Sequence, residues 1–403
     1  MTATTRSEET DILTASLAHE IACENAAVTG LGILITDREG TVIGSSDLAR
    51  LGSFHEASLE VVRTRAPTSH TAIQAAELRG TRFGLTLPIL VDGVAVGTVG
   101  ITGSPVRVRQ MGPLVRRHTE ILLREEASLR SKLLQERGIE DLVRDIGEFD
   151  PEIVEFAALL GRARQLGFTL DVTRAAIVFL VTAAPGSARS VRQDESVLRA
   201  EVVRVLRERF TDAEDIVAAT TPGRFVVLQR LRSKDAGRDE RNTLADCVVA
   251  TDRLRDRYGL LSRAALGGVG TSLTELKSAL QDASDVLVLA PVVSPERTTH
   301  SIRELRTHHL LSTVGHRARV RLIAAEIGVL RNRPDWIALR ATLIAWCETG
   351  FSLIGAAERL HIHRNTMIYR IAKIEQLTGR DLHDHGAGIT TYLACLADQI
   401  EGC

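Results

Sequence analysis

Two short segments of the chain hold residue types whose chemistry is specific. In the first, Arg50 and His55 stand five apart around Gly52-Ser53. A guanidinium and an imidazole supply the charge-assisted donors that a carboxylate needs. The pattern also starts a helix here, whose free backbone N–H groups add an anion site without further charge. Glycines Gly84, Gly100 and Gly103 permit close backbone approach, and the hydroxyls of Ser45, Ser46, Ser53, Thr86 and Thr102 suit ligand hydroxyls. The same residues have a plainer use: Arg50 paired with Asp47 or Glu56, His55 satisfied inside a core, and the serines as caps.

The second segment lies near the C-terminus. Thr342–Cys347 belongs to a helix closing at Glu348-Thr-Gly350, Ser352 is placed to cap a short helix through Leu360, and His361-Ile-His363 turns into a helix that runs from Arg364 to Leu377 and stops at Thr378-Gly379. On the second helix Met367, Ile371 and Ile374 share one face, leaving Arg364, Asn365, Tyr369, Arg370 and Lys373 to project away from it. Helix, short turn, helix is the geometry that presents N-terminal residues of the second helix to base edges in the major groove. Arg there reads guanine, Asn reads adenine, and basic or hydroxyl side chains hold phosphates. The candidate DNA-contact set is Ser352, His363, Arg364, Asn365, Thr366, Tyr369, Arg370 and Lys373. The bland alternative is a solvated helical hairpin. His361 and His363 do not make a metal site, because residues two apart do not share a helix face and no third ligand stands nearby.

The elements that must position these residues follow from periodicity. Residues 11–30 read as a helix, and residues 31–44 as two short strands joined at Asp37-Arg-Glu-Gly40. A helical stretch to about Arg65 and a polar loop follow, then a second hairpin over 83–103 with the turn Asp92-Gly93. From Pro113 to about Arg137 the pattern is helical and charged. Residues 150–300 alternate helices and strands in a βαββαβ-like order, and everything from about Ser301 reads as helix.

Length and composition agree with a chain of several folded domains. The 403 residues, with 44% hydrophobic and 25% charged side chains, place it among globular proteins and away from disordered, collagenous and membrane-embedded classes. Fifty Lys+Arg against 51 Asp+Glu leave a formal charge of −1, so no whole-molecule field draws it to nucleic acid or an anionic membrane. Residues 340–380 alone carry Arg340, Arg359, Arg364, Arg370, Lys373 and Arg380 against Glu348, Glu358 and Glu375, six minus three, or +3. Arg317, Arg319, Arg321, Arg331 and Arg333 lie just upstream. Lysine is confined to Lys132, Lys234, Lys277 and Lys373, an Arg preference that runs along the whole chain and reflects base composition. Five cysteines without a CxxC pair point to reduced thiols. The start has no apolar signal-peptide core, and no run approaches a membrane span of about 20 residues, so a cytoplasmic location is expected.

These residues carry a resemblance. Thr342–Leu377, with Ala356-Ala-Glu-Arg-Leu-His-Ile-His-Arg-Asn-Thr-Met-Ile-Tyr-Arg370, closely resembles the C-terminal helix-turn-helix of the PucR/CdaR family of bacterial transcription regulators. The N-terminal segment is similar to that family's sugar diacid recognition domain at Arg50-Leu-Gly-Ser-Phe-His55-Glu-Ala57, at Leu87-Pro-Ile89 followed by Asp92-Gly93, and at Val96–Gly103. The middle resembles a degenerate GGDEF-like domain, with Gly267-Gly-Val-Gly-Thr-Ser and Ala283-Ser-Asp-Val-Leu in the related segments. Where a cyclase carries its metal-holding carboxylates this chain has Thr221-Pro-Gly-Arg224-Phe225.

The resemblance implies an α+β multidomain fold: a PAS-like antiparallel-sheet sensor over 1–137, a GGDEF-like α/β sandwich over 138–300 and an all-α helix-turn-helix domain over 301–403. It implies an effector-responsive regulator, an activator of organic-acid catabolism, sensing glycerate, glycolate, glucarate or galactarate. The implied partners are promoter DNA, that effector and a second copy in a homodimer or homotetramer, with no cofactor, no metal and no membrane. Similarity to citrate and dicarboxylate sensor domains adds Arg82 as a second carboxylate partner. The effector set is then Arg50, His55, Gly52, Ser53, Ser46, Arg82, Gly84, Thr86 and Thr102. The competing classes are a nucleotide cyclase-like enzyme and a ligand-binding adaptor that does not touch DNA.

Overall fold

A computed structural model describes residues 12–153, 156–183, 195–232 and 236–402. The chain divides into two units, Met1–Gln135 and Glu136–Cys403.

In the first unit, helix α1 (Ala15–Thr29) is capped by Thr14, whose hydroxyl accepts from the Leu17 N–H, and ends at Gly30 in the left-handed conformation. Strands β1 (Gly32–Thr36) and β2 (Val42–Ser45) form the first predicted hairpin. A short 3₁₀ turn (Leu48–Arg50), helix α2 (Ala57–Thr64), strand β3 (Thr68–His70) and helix α3 (Ala72–Ala76) follow. Strands β4 (Gly84–Val91) and β5 (Val94–Thr102) form the second hairpin. At their two-residue turn Asp92 and Gly93 both take positive φ, 49° and 80°, the backbone a tight hairpin requires. The sheet is antiparallel throughout, in the order β2-β1-β5-β4-β3.

Alternation gives this sheet two unlike faces. Ile33 and Ile35 of β1, Leu87 and Ile89 of β4, and Val99 and Ile101 of β5 point into an apolar core shared with Ile21 and Ala22 of α1. The intervening residues line the opposite face in cross-strand rows: His70, Gly84, Thr102 and Gly32; then Thr68, Thr86, Gly100 and Leu34; then Pro88, Thr98 and Thr36. Apart from Leu34 and Pro88, that second face is made of hydroxyls, glycines and one imidazole.

Two expectations change here. The segment read as a polar loop contains β3 and α3. Three residues are too few to show a period, and β3 is ordered by pairing with β4. Helix α4 runs Pro105–Glu148, well beyond the predicted 113–137, with Pro113 inside it. Burial of Val108, Val115 and Leu123 against the first core and of Ile139, Leu142, Val143 and Ile146 in the second unit's core outweighs the backbone hydrogen bond that Pro113 forgoes.

The second unit contains α5 (Phe156–Gln165), β6 (Arg174–Ala183), α6 (Glu195–Arg209), β7 (Ile216–Thr221), β8 (Arg224–Arg230), α7 (Ala236–Tyr258), β9 (Leu260–Gly270), α8 (Leu273–Val293) and β10 (Thr299–Ser301). The predicted strand-helix order holds, and the Gly/Ser/Pro loop expected after β6 lies outside the described residues. The sheet order is β10-β9-β6-β8-β7, antiparallel except that β10 runs parallel to β9. Its faces bury separate clusters, Ala176, Val178 and Leu228 with α5 and α8 on one side, and Ile177, Phe179 and Val227 with α6 and α7 on the other. A strand buried on both sides reads as the continuous apolar run seen at 175–179.

Then come helices only: α9 (Ile302–Thr313), α10 (His316–Arg331), α11 (Trp336–Glu348), α12 (Leu353–Arg359), α13 (Arg364–Thr378) and α14 (His385–Glu401). They close around Leu330, Leu343, Trp346, Met367, Ile374 and Leu396. The three-residue β10, at the edge of this all-helical stretch, carried no signal of its own.

Candidate functional site

In the first unit Arg50 and His55 are both buried, 8% and 3% exposed. His55 follows the plain reading, a buried imidazole satisfied by Ser58, but Arg50 does not follow its own. Arg50 donates to the Gly80 carbonyl, while Asp47 pairs with Arg82 at 3.2 Å. Burial lowers the Arg50 pKa, the Arg82 charge adds to this and Asp47 opposes it. His55 falls to about 4, first through burial and then through the positive charges of Arg50 and His70, offset in part by its own backbone carbonyl. The imidazole is neutral at physiological pH.

His55 Nδ1 lies 2.8 Å from Ser58 Oγ, Ser58 Oγ 2.7 Å from Thr98 Oγ1, and Thr98 Oγ1 2.8 Å from Thr36 Oγ1. All three hydroxyl residues are fully buried. Helix α2 thus sits on the polar face of the sheet. Thr86, Thr102 and Gly84 share that face. Gly84 is required there: its φ is 150°, and a Cβ would stand 2.0 Å from the Ile101 carbonyl oxygen.

The other candidates serve the backbone. Ser46 Oγ accepts from the Ile33 N–H at 3.1 Å, Ser53 Oγ donates to the Arg50 carbonyl at 2.6 Å, and Gly52 makes a turn with φ 75°. Arg82 is exposed and tied to Asp47. The expected anion site at a helix start near Gly52-Ser53 is also corrected. Helix α2 begins at Ala57, and its first N–H groups go to Thr81 Oγ1, the His55 carbonyl and the Glu56 carbonyl. Residue spacing missed Ser58, Thr98, Thr36 and His70. The available signal was a threonine at the non-core phase of an otherwise apolar strand.

At the C-terminal candidate, boundaries and caps fall where the spacing puts them. Ser352 Oγ accepts from the Gly355 N–H at 3.1 Å, and His363 Nδ1 accepts from the Asn365 N–H at 3.2 Å. Between the helices His361 takes φ 53°, and the Ile362 N–H returns to the Ala357 carbonyl, the left-handed helix ending that sets the turn. Met367, Ile371 and Ile374 are buried, while Arg364, Asn365, Thr366 and Tyr369 are exposed.

Two residues predicted to project freely do not. Arg370 lies at the margin of the buried face and reaches Thr342 Oγ1 at 3.4 Å; Lys373 Nζ pairs with Asp335 Oδ2 at 2.7 Å. The local +3 is largely neutralised from outside its window. Arg340 pairs with Asp398 and Arg380 with Glu326, both at 2.8 Å, and Arg359 pairs with Glu348 inside it. Upstream, Arg319 is held by Glu401, Arg331 by Asp398 and Arg333 by Asp335. Arg317, Arg321 and Arg364 are exposed without an ion pair among the described residues.

At the β7–β8 hairpin, Thr221 pairs with Arg224, Gly223 takes φ 71°, and Arg224 reaches Ser284. No carboxylate stands in the turn. Among the described residues no group of three or more His, Cys, Asp or Glu is placed to hold a metal ion, and no helix is long and apolar enough to cross a membrane.

A capped two-helix unit with an exposed Arg-Asn-Thr at the start of its second helix defines a helix-turn-helix DNA-binding protein. Comparison with known proteins gives its family. Residues 13–146 match the sugar diacid recognition family, residues 152–289 the GGDEF-like domain and residues 339–397 the PucR C-terminal helix-turn-helix domain. The chain is 26% identical over 393 residues to the carbohydrate diacid regulator of Escherichia coli (strain K12), covering 96% of this chain and 98% of that one. It is 24% identical over 382 residues to the protein YsfB of Bacillus subtilis (strain 168), covering 94% and 96%. A 47-residue stretch is 45% identical to the purine catabolism regulatory protein of the same Bacillus strain, covering 12% and 9%. The chain belongs to the CdaR/PucR family of transcription regulators.

Proposed function

We propose that this chain is a cytoplasmic, effector-controlled activator of organic-acid catabolism that binds promoter DNA as a homodimer. Its organisation would be a PAS-like sensor over 1–137, a GGDEF-like sandwich over 138–300 and a DNA reader over 301–403. The observation that carries the regulatory role is α13. Its buried stripe of Met367, Ile371 and Ile374 holds it against the helical core while Arg364, Asn365, Thr366 and Tyr369 face solvent at its start. Arg364 and Asn365 read base edges, and His363, Thr366, Tyr369 and Ser352 position the backbone.

The effector is a small hydroxy acid or diacid such as glycerate, glycolate, glucarate or galactarate, and the E. coli relative's name supports this class. Arg50 and His55, with Gly84, Thr86 and Thr102 on the polar sheet face, form its site. Arg82 adds a second cation by releasing Asp47, and Ser46, Gly52 and Ser53 shape the loop. The effector acts by its difference in affinity between two arrangements of the chain, so a few kcal/mol is the available scale. An enzyme reading has no support at the β7–β8 turn, where Thr221-Pro-Gly-Arg224 offers no metal ligand.

The test is a thermal-shift series on the full chain with those four acids, alongside selection of bound sites from a random duplex pool. A rise in Tm with at least one acid that Arg50→Ala abolishes, and an enriched palindromic site lost in Arg364→Ala, are the expected results. No shift across the acids removes the effector assignment, and no enriched site removes DNA reading in favour of a protein-binding adaptor.

A further inference from the structure

The four side chains His55, Ser58, Thr98 and Thr36 make three contacts in a line, at 2.8, 2.7 and 2.8 Å. Three hydroxyls bring three protons. If Thr36 donates to Thr98, Thr98 to Ser58 and Ser58 to His55 Nδ1, every proton is used and every contact is made. If Nδ1 instead carries the proton, the line reverses and holds four protons for three contacts. The surplus falls on the Thr36 hydroxyl, which is fully buried and whose side-chain partner among the described residues is Thr98. A buried donor without an acceptor is costly, so the first direction is the favoured one.

We propose that Thr36, Thr98 and Ser58 are positioning residues that hold neutral His55 as the Nε2–H tautomer, so that the sensor offers this N–H to an acceptor oxygen of its effector. His55 Nε2 makes no hydrogen bond to a described residue. Arg50, whose charge acts on the ring, is the neighbouring donor. Arg50 therefore takes the carboxylate, and His55 a carboxylate or hydroxyl oxygen beside it. Which ring nitrogen is protonated is set by the bond the other makes, and here that bond is backed by the Thr36–Thr98 pair, whose members stand 62 residues apart in the chain. The inference rests on the effector reading above for its ligand, but not for the tautomer.

The experiment is nitrogen-15 NMR on the full chain labelled at histidine, with His55 assigned by its loss in His55→Phe. The expected wild-type signals are a pyridine-type Nδ1 and a pyrrole-type Nε2. Thr98→Val should mix the tautomers, and Thr98→Ser, which restores the hydroxyl, should restore the pattern. A pyrrole-type Nδ1 in the wild type overturns the proposal, as does an unchanged pattern in Thr98→Val. The ligand arm titrates glycerate and glucarate. About a tenfold weaker affinity is expected in both Thr98→Val and His55→Phe, with wild-type affinity in Thr98→Ser. Equal affinity in His55→Phe overturns the donor role. An absence of binding to wild type overturns the effector reading while the tautomer signal still reports on the relay.

Discussion

Lys373 Nζ lies 2.7 Å from Asp335 Oδ2, which ties the recognition helix α13 to the start of α11 and takes the lysine out of the pool of free cations. Arg364, nine residues earlier, has no such partner among the described residues. The two should separate in a salt titration of DNA affinity. Arg364→Ala should lower the slope of log affinity against log salt by about 1 if it also touches phosphate, and relax base preference at one position at a cost of about 1–3 kcal/mol. Lys373→Ala should leave both nearly unchanged. Equal effects of the two substitutions would mean that the Asp335 pair opens on DNA.

Asp398 is 2% exposed on α14 and accepts from Trp336 Nε1 at 3.1 Å and Arg340 Nη1 at 2.8 Å, with Arg331 Nε 2.8 Å from its other oxygen. One carboxylate thus joins α10, α11 and α14. Asp398→Ala strips a buried indole N–H and a half-buried guanidinium of their acceptor. A loss of about 2–3 kcal/mol is expected, discounted for the partly exposed arginines. Both tryptophans lie in this helical part, so urea unfolding followed by their fluorescence measures it directly.

What the sequence made legible was local. Ser352 and Gly379 bound their helices through contacts within four residues, and Asp92-Gly93 carries its own turn geometry. The polar arrangement of the sensor was not legible, because Thr98 meets Thr36 across 62 residues and Ser58 across 40. Pairing also redirected expected ligand groups. Ser46 and Ser53 are consumed by backbone, and Lys373 by an aspartate 38 residues away. Pro113 failed as a boundary because tertiary burial on both sides outweighed a local preference.

His55 titrates at about 4 in the folded chain against about 6.5 in an unfolded one. The unfolded state therefore binds more protons between these values. The sign follows: stability from keeping His55 neutral is complete above about pH 6.5 and is lost as pH falls toward 4. The span corresponds to about 3 kcal/mol. Hydrogen exchange of the β5 amides across pH 4–7, corrected for intrinsic rates, should show protection falling with acid, and His55→Phe should flatten that component. A wild-type profile as flat as the variant's would place the group's pKa near its ordinary value.

Residues 124–137 of α4 are exposed almost throughout, and on them Leu129, Leu133 and Leu134 leave 56%, 58% and 57% of their surface open. A charged helical stretch of this length is marginal in water by itself, and leucines four apart give it an apolar stripe. A second α4 covers such a stripe best, which is the dimer proposed above. Leu129→Glu with Leu133→Glu places like charges on both copies of the seam, while neither residue belongs to its own unit's core. The doubly substituted protein should elute with the 43.9 kDa mass of one chain in light scattering, keep its thermal response to effector, and lose at least tenfold in affinity for a two-half-site operator. An unchanged mass would assign the dimer contact to another surface, and the leucines would then remain as ordinary exposed apolar side chains.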